Sequence, residues 1–174
     1  MMQISGFGEV ASSFKQALRG VASTVTVITA HDGARHHGMT ATAVTSLCMQ
    51  PPALLICLNR ATLLHDILTA GARFCVSVLD ESQAPVSAAF SGALPPGERF
   101  ALGDWSFDES GLGFLTDAQA NIFCSKVAAT AFGTHTIFIG EVSKVRLTER
   151  QAPLIYKDAS YCTTAPQARH ACSR

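Results

Sequence analysis

Polar and apolar residues alternate along the first half of the segment Gly38–Asn59, GMTATAVTSLCMQPPALLICLN. A period of two predicts a β-strand with two different faces. One parity is apolar, with Met39, Ala41, Ala43 and Leu47, and Thr45 as its polar exception. The other parity carries hydroxyls at Thr40, Thr42 and Ser46, interrupted by Val44 and Cys48. Small hydroxyl-bearing side chains let a flat ligand approach the backbone, although a half-buried strand with a wet outer face is the commoner explanation of such a pattern.

The rest of the chain is also patterned mainly as strands. We expect strands at 24–30, 35–47, 53–58, 74–79, 120–131, 136–147 and 154–157, and helices at 9–19, 63–70 and 82–90. Asp32-Gly33, between the first two strands, has the composition of a hairpin turn. Because most neighbouring strands are joined by short turns, these elements predict a mainly β protein, an antiparallel β-barrel with a few short helices.

The length of 174 residues favours a single domain over 1–174, with a core at about 9–164 and a polar tail, 165–174, expected to be disordered. A formal net charge of zero gives no electrostatic case for nucleic acid or an anionic membrane. Only 15% of residues are charged while 48% are hydrophobic, so we expect apolar surface to be buried in a homodimer. The sequence has neither a signal peptide nor a membrane-length apolar run, which predicts a cytoplasmic protein.

The cysteine pattern favours free thiols. The six cysteines are Cys48, Cys57, Cys75, Cys124, Cys162 and Cys172. None forms a CxxC pair, and four lie in apolar strand-like runs, so buried, non-catalytic thiols in a reducing compartment explain them best. Disulfides in a secreted chain and a metal site are weaker explanations, and we predict no metal.

Common catalytic motifs are absent from the sequence. It contains no GxxxxGK[ST], HExxH or GxSxG pattern. A match to GxGxxA at residues 6–11 is not preceded by a strand and is attributed to chance. His36 and His37 are adjacent on a predicted strand, so they point to opposite faces and cannot chelate one ion together.

Two loops have the chemistry of ligand sites. Asn59-Arg60-Ala61-Thr62 leads into a helix, where free N–H groups, a Thr62 N-cap and Arg60 would make an anion site. Phe90-Ser91-Gly92, followed by Arg99-Phe100, adds aromatic and cationic character. A surface loop with an incidental arginine explains the first equally well, and an ordinary Gly/Pro loop explains the second.

Six segments, taken together, resemble the flavin reductase-like family. They are GMTATAVTS, PPALLICLNR, FCVSVL, FSG…ERF, GTHTIFIGEV and PLIY, in that order. The family comprises small NAD(P)H:flavin oxidoreductases with an FMN-binding split barrel. Many are reductase components of two-component flavin monooxygenases, including those for 4-hydroxyphenylacetate and phenol. The resemblance runs from about Phe14 to Tyr161, nearly the whole chain.

The resemblance implies a role for particular residues. Contacts to the isoalloxazine fall on Thr40, Ala41, Thr42, Ala43 and Ser46, with Leu47 beside them. The ribityl phosphate falls on Asn59, Arg60, Ala61 and Thr62, and the segments that close over the flavin are Phe90, Ser91, Gly92, Arg99 and Phe100. His135 falls beside the nicotinamide, next to Thr134, where many members have Asp. His135 could equally be a barrel residue bonded to a backbone carbonyl. Hydride transfer needs C4 of the nicotinamide over N5 of the flavin and no protein acid or base.

The resemblance therefore implies a homodimeric reductase in which NAD(P)H, as NADH or NADPH, reduces FMN or FAD for a partner monooxygenase. Two alternatives stay open. A split-barrel reductase could act on another acceptor, such as a corrinoid or ferric complex, and a non-catalytic flavin- or haem-binding protein could use the same barrel. NADH oxidation measured with and without free flavin separates the three.

Overall fold

The structure is a computed structural model that describes residues 5–149 and 152–165. The expected disorder of the tail therefore falls almost wholly outside the described residues. The helices are α1 (Ser5–Arg19), α2 (Leu63–Ala70) and α3 (Ala84–Ala88), the last continued by a wider π-helical turn, Ala89–Ala93. None of the helices in these ranges is both long and apolar enough to cross a bilayer.

Twelve strands are found in the described residues. They are β1 (Ser23–Thr24), β2 (Thr26–His31), β3 (His36–Ala41), β4 (Val44–Met49), β5 (Pro52–Asn59), β6 (Arg73–Val78), β7 (Trp105–Phe107), β8 (Gly113–Leu115), β9 (Ala120–Phe132), β10 (His135–Leu147), β11 (Ile155–Lys157) and β12 (Ser160–Cys162). Seven of them form one antiparallel sheet in the order β3-β2-β6-β9-β10-β5-β4. This confirms the predicted mainly β, antiparallel class.

The two edge strands of this sheet, β3 and β4, are consecutive in the chain. Between them the backbone bends at Thr42 and Ala43. Before the bend, the Thr26 hydroxyl donates to the Ala41 carbonyl at 2.7 Å. After it, the Cys57 N–H donates to the Ala43 carbonyl at 3.0 Å. The chain thus passes from one edge of the sheet to the other within three residues, and this closes the barrel.

The prediction of one continuous strand over 35–47 was wrong, and the bend explains why. Met39 and Ala41 pack against the barrel core, and so does Val44, which has the opposite parity. The side chain of Leu47 is 48% exposed. The bend shifts the alternation by one residue, so the apolar parity read from the sequence does not continue into β4.

Helix α2 packs across one end of the barrel. Its side chains Leu64, Ile67 and Leu68 are buried and belong to the same core cluster as the inward residues of the strands. At its C-terminus the Lys126 ammonium donates to the carbonyls of Leu68 at 2.6 Å and Thr69 at 2.9 Å. A cation there satisfies carbonyls that have no intrahelical partner and complements the helix dipole.

A second core lies between the barrel and α3. Its centre is an aromatic cluster in which the rings of Phe90, Phe100 and Trp105 lie 4.9–5.1 Å apart. The small hairpin β7–β8 contributes Trp105 and was not predicted, because its strands have three residues each in a polar, glycine-rich segment. Gly38 of β3 permits this packing, since a Cβ there would lie 2.6 Å from the Phe90 ring.

Three distant parts of the chain meet at one point beside this core. The Val25 N–H donates to the Leu154 carbonyl at 2.8 Å, the Leu154 N–H to Leu79 at 3.0 Å, and the Leu79 N–H to Val25 at 3.0 Å. All three residues are buried. Here the start of the first long hairpin, the end of β6 and the C-terminal segment form one closed ring of backbone hydrogen bonds.

Gly140, in the middle of β10, is a sensitive packing position in the barrel. A Cβ there would overlap the ring of Phe74 and lie 2.8 Å from Cys124 Cβ, both of which are buried. We expect Gly140→Ala to lower the free energy of unfolding by about 1–3 kcal/mol, the usual effect of overpacking. Urea denaturation measures this. Gly97→Ala, where nothing lies within 4 Å, is the control and should change the value by under about 0.5 kcal/mol.

Candidate functional site

Two clefts lie along strand β3 and share Ser91. The larger, about 850 Å³, is bordered by Thr40, Ala41, Thr42, Ser87, Tyr156 and Tyr161, among others. The smaller, about 290 Å³, is bordered by Gly38, Met39, Thr62, Phe90, Ser91 and Arg99, among others. Residues from four of the predicted segments therefore meet in one region.

The hydroxyls on the rim of these clefts are held by one buried carbonyl. The Ser87 carbonyl accepts from the Thr40 hydroxyl at 2.7 Å and from the Ser91 hydroxyl at 2.8 Å. Ser87 itself is fully buried in α3. Helix α3 is therefore tied to strand β3 where the clefts meet.

Arg99 and Phe100, predicted to act together, have separate places. The Arg99 guanidinium borders the smaller cleft and donates to the carbonyls of Gly38 and Leu94, both at 3.1 Å. It thereby ties the loop that follows α3 to strand β3. Phe100 lies outside both clefts and packs edge-on against Phe90, with ring centroids 5.1 Å apart. Phe100 therefore stabilises the loop by packing against Phe90.

The segment Asn59–Thr62 folds as a cap on α2. The Asn59 side-chain carbonyl accepts from the Ala61 N–H at 2.9 Å, and the Thr62 hydroxyl accepts from the His65 N–H at 3.3 Å. Thr62 is the N-cap, as the sequence predicted. The Arg60 side chain is exposed and has no partner in the described part of the chain. The remaining N–H groups of this helix end and a free guanidinium suit an anion.

His135 lies beside this cap. It pairs with Asn59 across β5 and β10, and its exposed ring makes a 2.9 Å hydrogen bond with the Thr134 hydroxyl. The neighbouring Thr136 points inward instead and contacts His65 Nε2 at 2.9 Å. The barrel histidine is therefore His65, while His135 faces outward near Asn59 and borders neither cleft.

The bend in the chain divides the strand that was predicted to contact the isoalloxazine. Thr42 borders both the larger cleft and a third, mainly apolar cleft of about 640 Å³. Ser46 borders only the third cleft. Ala43 and Leu47 are exposed and border none of the three. The structure thus brings Thr40, Ala41 and Thr42 together with α3 at the larger cleft, which no β4 residue borders. Of these three residues, only Thr42 also borders the third cleft with Ser46.

Sequence reasoning missed several residues of the larger cleft. Among them are Ser87, Tyr156 and Tyr161, which carry hydroxyl groups. Tyr156 ends the PLIY segment, but no role was assigned to it. Tyr161 lies on β12, a three-residue strand without a clear pattern.

One carboxylate is strongly perturbed near the smaller cleft. Asp32 accepts hydrogen bonds from the backbone N–H groups of Arg35 and Ala34 and contacts the ring of His37 at 3.0 Å. These bonds hold the pKa of Asp32 well below its ordinary value, so its carboxylate stays charged throughout the neutral range. The charged group fixes the β2–β3 turn and orients His37, which borders the smaller cleft.

The cysteines of the described ranges form no disulfide bonds. All five cysteines in the described ranges are free. Burial raises the pKa of Cys75 strongly and that of Cys124 to about 12, so both stay neutral. Cys48 is exposed, which corrects the expectation that it is buried. No cluster of three or more potential metal ligands occurs among the described residues.

The donor set around the clefts fits a flavin. The larger cleft offers hydroxyls and strand backbone to the polar edge of a flat ring, next to aromatic side chains. The smaller cleft and the adjoining helix cap offer Thr62, Arg99 and Arg60 to a phosphate. A flavin nucleotide has a flat ring with a polar edge and a phosphate. It therefore requires hydroxyl groups at one end of its site and an anion-binding helix N-terminus at the other.

Comparison with known proteins agrees with this geometry. Residues 18–165 match the flavin reductase like domain, so the chain belongs to that family. The chain is 46% identical over 159 residues to the reductase component of an FADH(2)-dependent resorcinol hydroxylase from Rhizobium sp. (strain MTP-10005), covering 90% of this chain and 89% of that protein. It is 36% identical over 150 residues to an FMN reductase (NADH), RutF, from Variovorax paradoxus (strain S110), covering 86% and 83%.

A solved structure shares the fold over almost the whole length. The NADH:FAD oxidoreductase SgcE6 from Streptomyces globisporus C-1027, in complex with NAD and FAD fragments, superposes with a TM-score of 0.84 at 28% identity. The match covers 97% of this chain and 99% of that one. The family and the split-barrel fold implied by the sequence are therefore confirmed.

The exposed Arg60 gives a direct test of the anion site. We expect Arg60→Ala to weaken FMN binding by about 1–3 kcal/mol, the range for losing a charge-assisted hydrogen bond. Flavin fluorescence titration measures the affinity. Riboflavin, which has no phosphate, should bind the variant as it binds the wild type. Arg146→Ala, near the opposite end of β10 from His135, is the control. An unchanged FMN affinity in Arg60→Ala would show that the phosphate lies elsewhere.

Proposed function

We propose that this chain is the reductase component of a two-component flavin monooxygenase. It uses NADH or NADPH to reduce FMN or FAD, and the reduced flavin serves a partner oxygenase. The observation that carries the proposal is the meeting of strand β3, α3 and the α2 cap around two joined clefts. The resorcinol hydroxylase reductase, at 46% identity, supports an oxygenase that hydroxylates an aromatic substrate.

The residues of the site have separate tasks in this proposal. Thr40, Ala41 and Thr42 hold the ring, and the α2 cap holds the phosphate through Arg60 and its N–H groups. The flavin, when bound, supplies the hydride acceptor. The protein then has only to hold the nicotinamide over the ring and exclude water, because this transfer needs no acid or base from the chain.

A simple assay tests this function. Steady NADH oxidation that depends on added free flavin supports the proposal. Turnover that instead needs a ferric or corrinoid acceptor would indicate a different split-barrel reductase. Flavin binding without any NADH oxidation would indicate a binding protein and overturn the proposed activity.

We also propose that the active form is a homodimer of a single-domain chain, working in the cytoplasm. Helix α1 supports the dimer, because Val10, Phe14 and Leu18 on its apolar face are 51–70% exposed. Phe132, at the β9–β10 turn, is 86% exposed. Apolar side chains at this exposure are typical of a subunit interface. The free thiols support a reducing compartment.

Light scattering tests the assembly. At micromolar concentration we expect twice the chain mass of 18.4 kDa. Phe14→Glu places a charge in the exposed face of α1 and should shift the mass toward that of the monomer. A wild-type protein that runs as a monomer would contradict the homodimer.

His135 is our candidate for positioning the nicotinamide. We expect His135→Ala to raise the KM for NAD(P)H or to slow flavin reduction, while flavin affinity stays nearly unchanged. His135→Asn keeps a hydrogen-bonding group and should recover part of the loss. Stopped-flow reduction of the flavin-loaded protein measures both. Wild-type rates and wild-type NAD(P)H dependence in His135→Ala would make the residue purely structural.

A further inference from the structure

Two tyrosines form one wall of the larger cleft. Tyr156 and Tyr161 pair directly across β11 and β12, so their side chains lie on the same face of this hairpin. Their ring centroids are 5.6 Å apart and the planes meet at 66°. The side chains are 40% and 41% exposed, although both border a cleft. This leaves aromatic surface facing the space that Thr40, Ala41 and Thr42 face from strand β3.

The hydroxyl of Tyr161 is held by a buried partner. It donates to the Ser87 hydroxyl at 2.9 Å, and Ser87 is fully buried in α3. The backbone carbonyl of the same residue holds the hydroxyls of Thr40 and Ser91. One residue of α3 therefore positions three side chains of the cleft wall, each through a separate hydrogen bond.

The hairpin that carries the tyrosines is anchored at its other sides as well. Strand β11 pairs with β1, which places Tyr156 opposite Ser23. At the turn, the Asp158 carboxylate accepts from the Arg19 guanidinium at 2.7 Å, and the Asp158 N–H donates to the Arg19 carbonyl at 2.9 Å. The β11–β12 hairpin is thus fixed by β1 and by Arg19, and the Tyr161 hydroxyl by Ser87. This preorganises the Tyr161 ring to receive a flat ligand.

We propose that Tyr161 is a ring-binding residue for the isoalloxazine of the flavin, and that Ser87 is its positioning residue. This rests on the proposed function. The tyrosines border only the larger cleft, while Thr62 and Arg99 border only the smaller one. The tyrosine wall thus lies at the ring end of the bound molecule, away from the phosphate end. An electron-rich phenol also suits contact with the electron-poor isoalloxazine.

Riboflavin is the probe that tests this contact, because it has the ring without the phosphate. We expect Tyr161→Leu, which keeps apolar bulk, to weaken riboflavin and FMN binding by the same factor, about tenfold. Phenol rings in contact with a flavin quench its fluorescence by electron transfer, so bound flavin should become brighter in this variant. Unchanged affinity and unchanged brightness would overturn the inference. A loss confined to FAD would also overturn it, because the ring would then contact the adenine.

The role of Ser87 is tested by a double-mutant cycle. Tyr161→Phe and Ser87→Ala each remove one side of the same hydrogen bond, and each should weaken riboflavin binding by about threefold. The double variant should lose no more than either single variant, whereas additive losses would remove Ser87 from this role. Ser110→Ala is the control, because it removes a hydroxyl that bonds Asp108 and borders neither of the two clefts.

Two further measurements distinguish a loss of ring contact from unfolding and from a loss of phosphate binding. Thermal unfolding of each variant shows whether the fold is retained, and Tyr161→Phe remains informative if Tyr161→Leu is unstable. Arg60→Ala should lose affinity for FMN and keep affinity for riboflavin, whereas Tyr161→Leu should weaken the binding of both equally. A wild-type protein that binds no flavin would overturn the proposed function, and this inference with it. A wild type that binds while all Tyr161 variants match it would overturn this inference alone.

Discussion

The bend at Thr42 and Ala43 is the constraint on which this structure depends. A sheet of seven strands has two edges with unpaired backbone groups, and unpaired edges invite unwanted pairing. In this chain consecutive strands, β3 and β4, form the two edges, so a single bend brings the edges together. The chain itself closes the barrel as it passes from β3 to β4, and no additional strand is needed between these two edges.

The same bend determines where a ligand can lie. It ends β3 beside α3, so Thr40, Ala41 and Thr42 border the larger cleft, while Ser46 on β4 borders only the apolar cleft. A straight strand would place these residues on one surface. The site therefore results from barrel closure, and the positions of its hydroxyls follow from the geometry of the bend more than from their spacing in the sequence.

Periodicity was informative where an element is long or buried. Helix α2 was predicted with its bounds, its N-cap and its end, and β5, β9 and β10 were predicted within one or two residues. Each depends on local rules, such as a capping hydroxyl or a continuous apolar run. The bend was not predicted, because Thr42 and Ala43 continue the alternation through it. Its position is set by pairing with β2 on one side and β5 on the other, which are long-range partners.

The final ring of hydrogen bonds among Val25, Leu79 and Leu154 has a consequence for biosynthesis. The N-terminal part of a chain leaves the ribosome first, so Val25 and Leu79 emerge from the exit tunnel long before Leu154. Until then, buried N–H and C=O groups at this end of the barrel lack their partners. This ring of hydrogen bonds therefore closes late in synthesis, after the segment around Leu154 has left the ribosome.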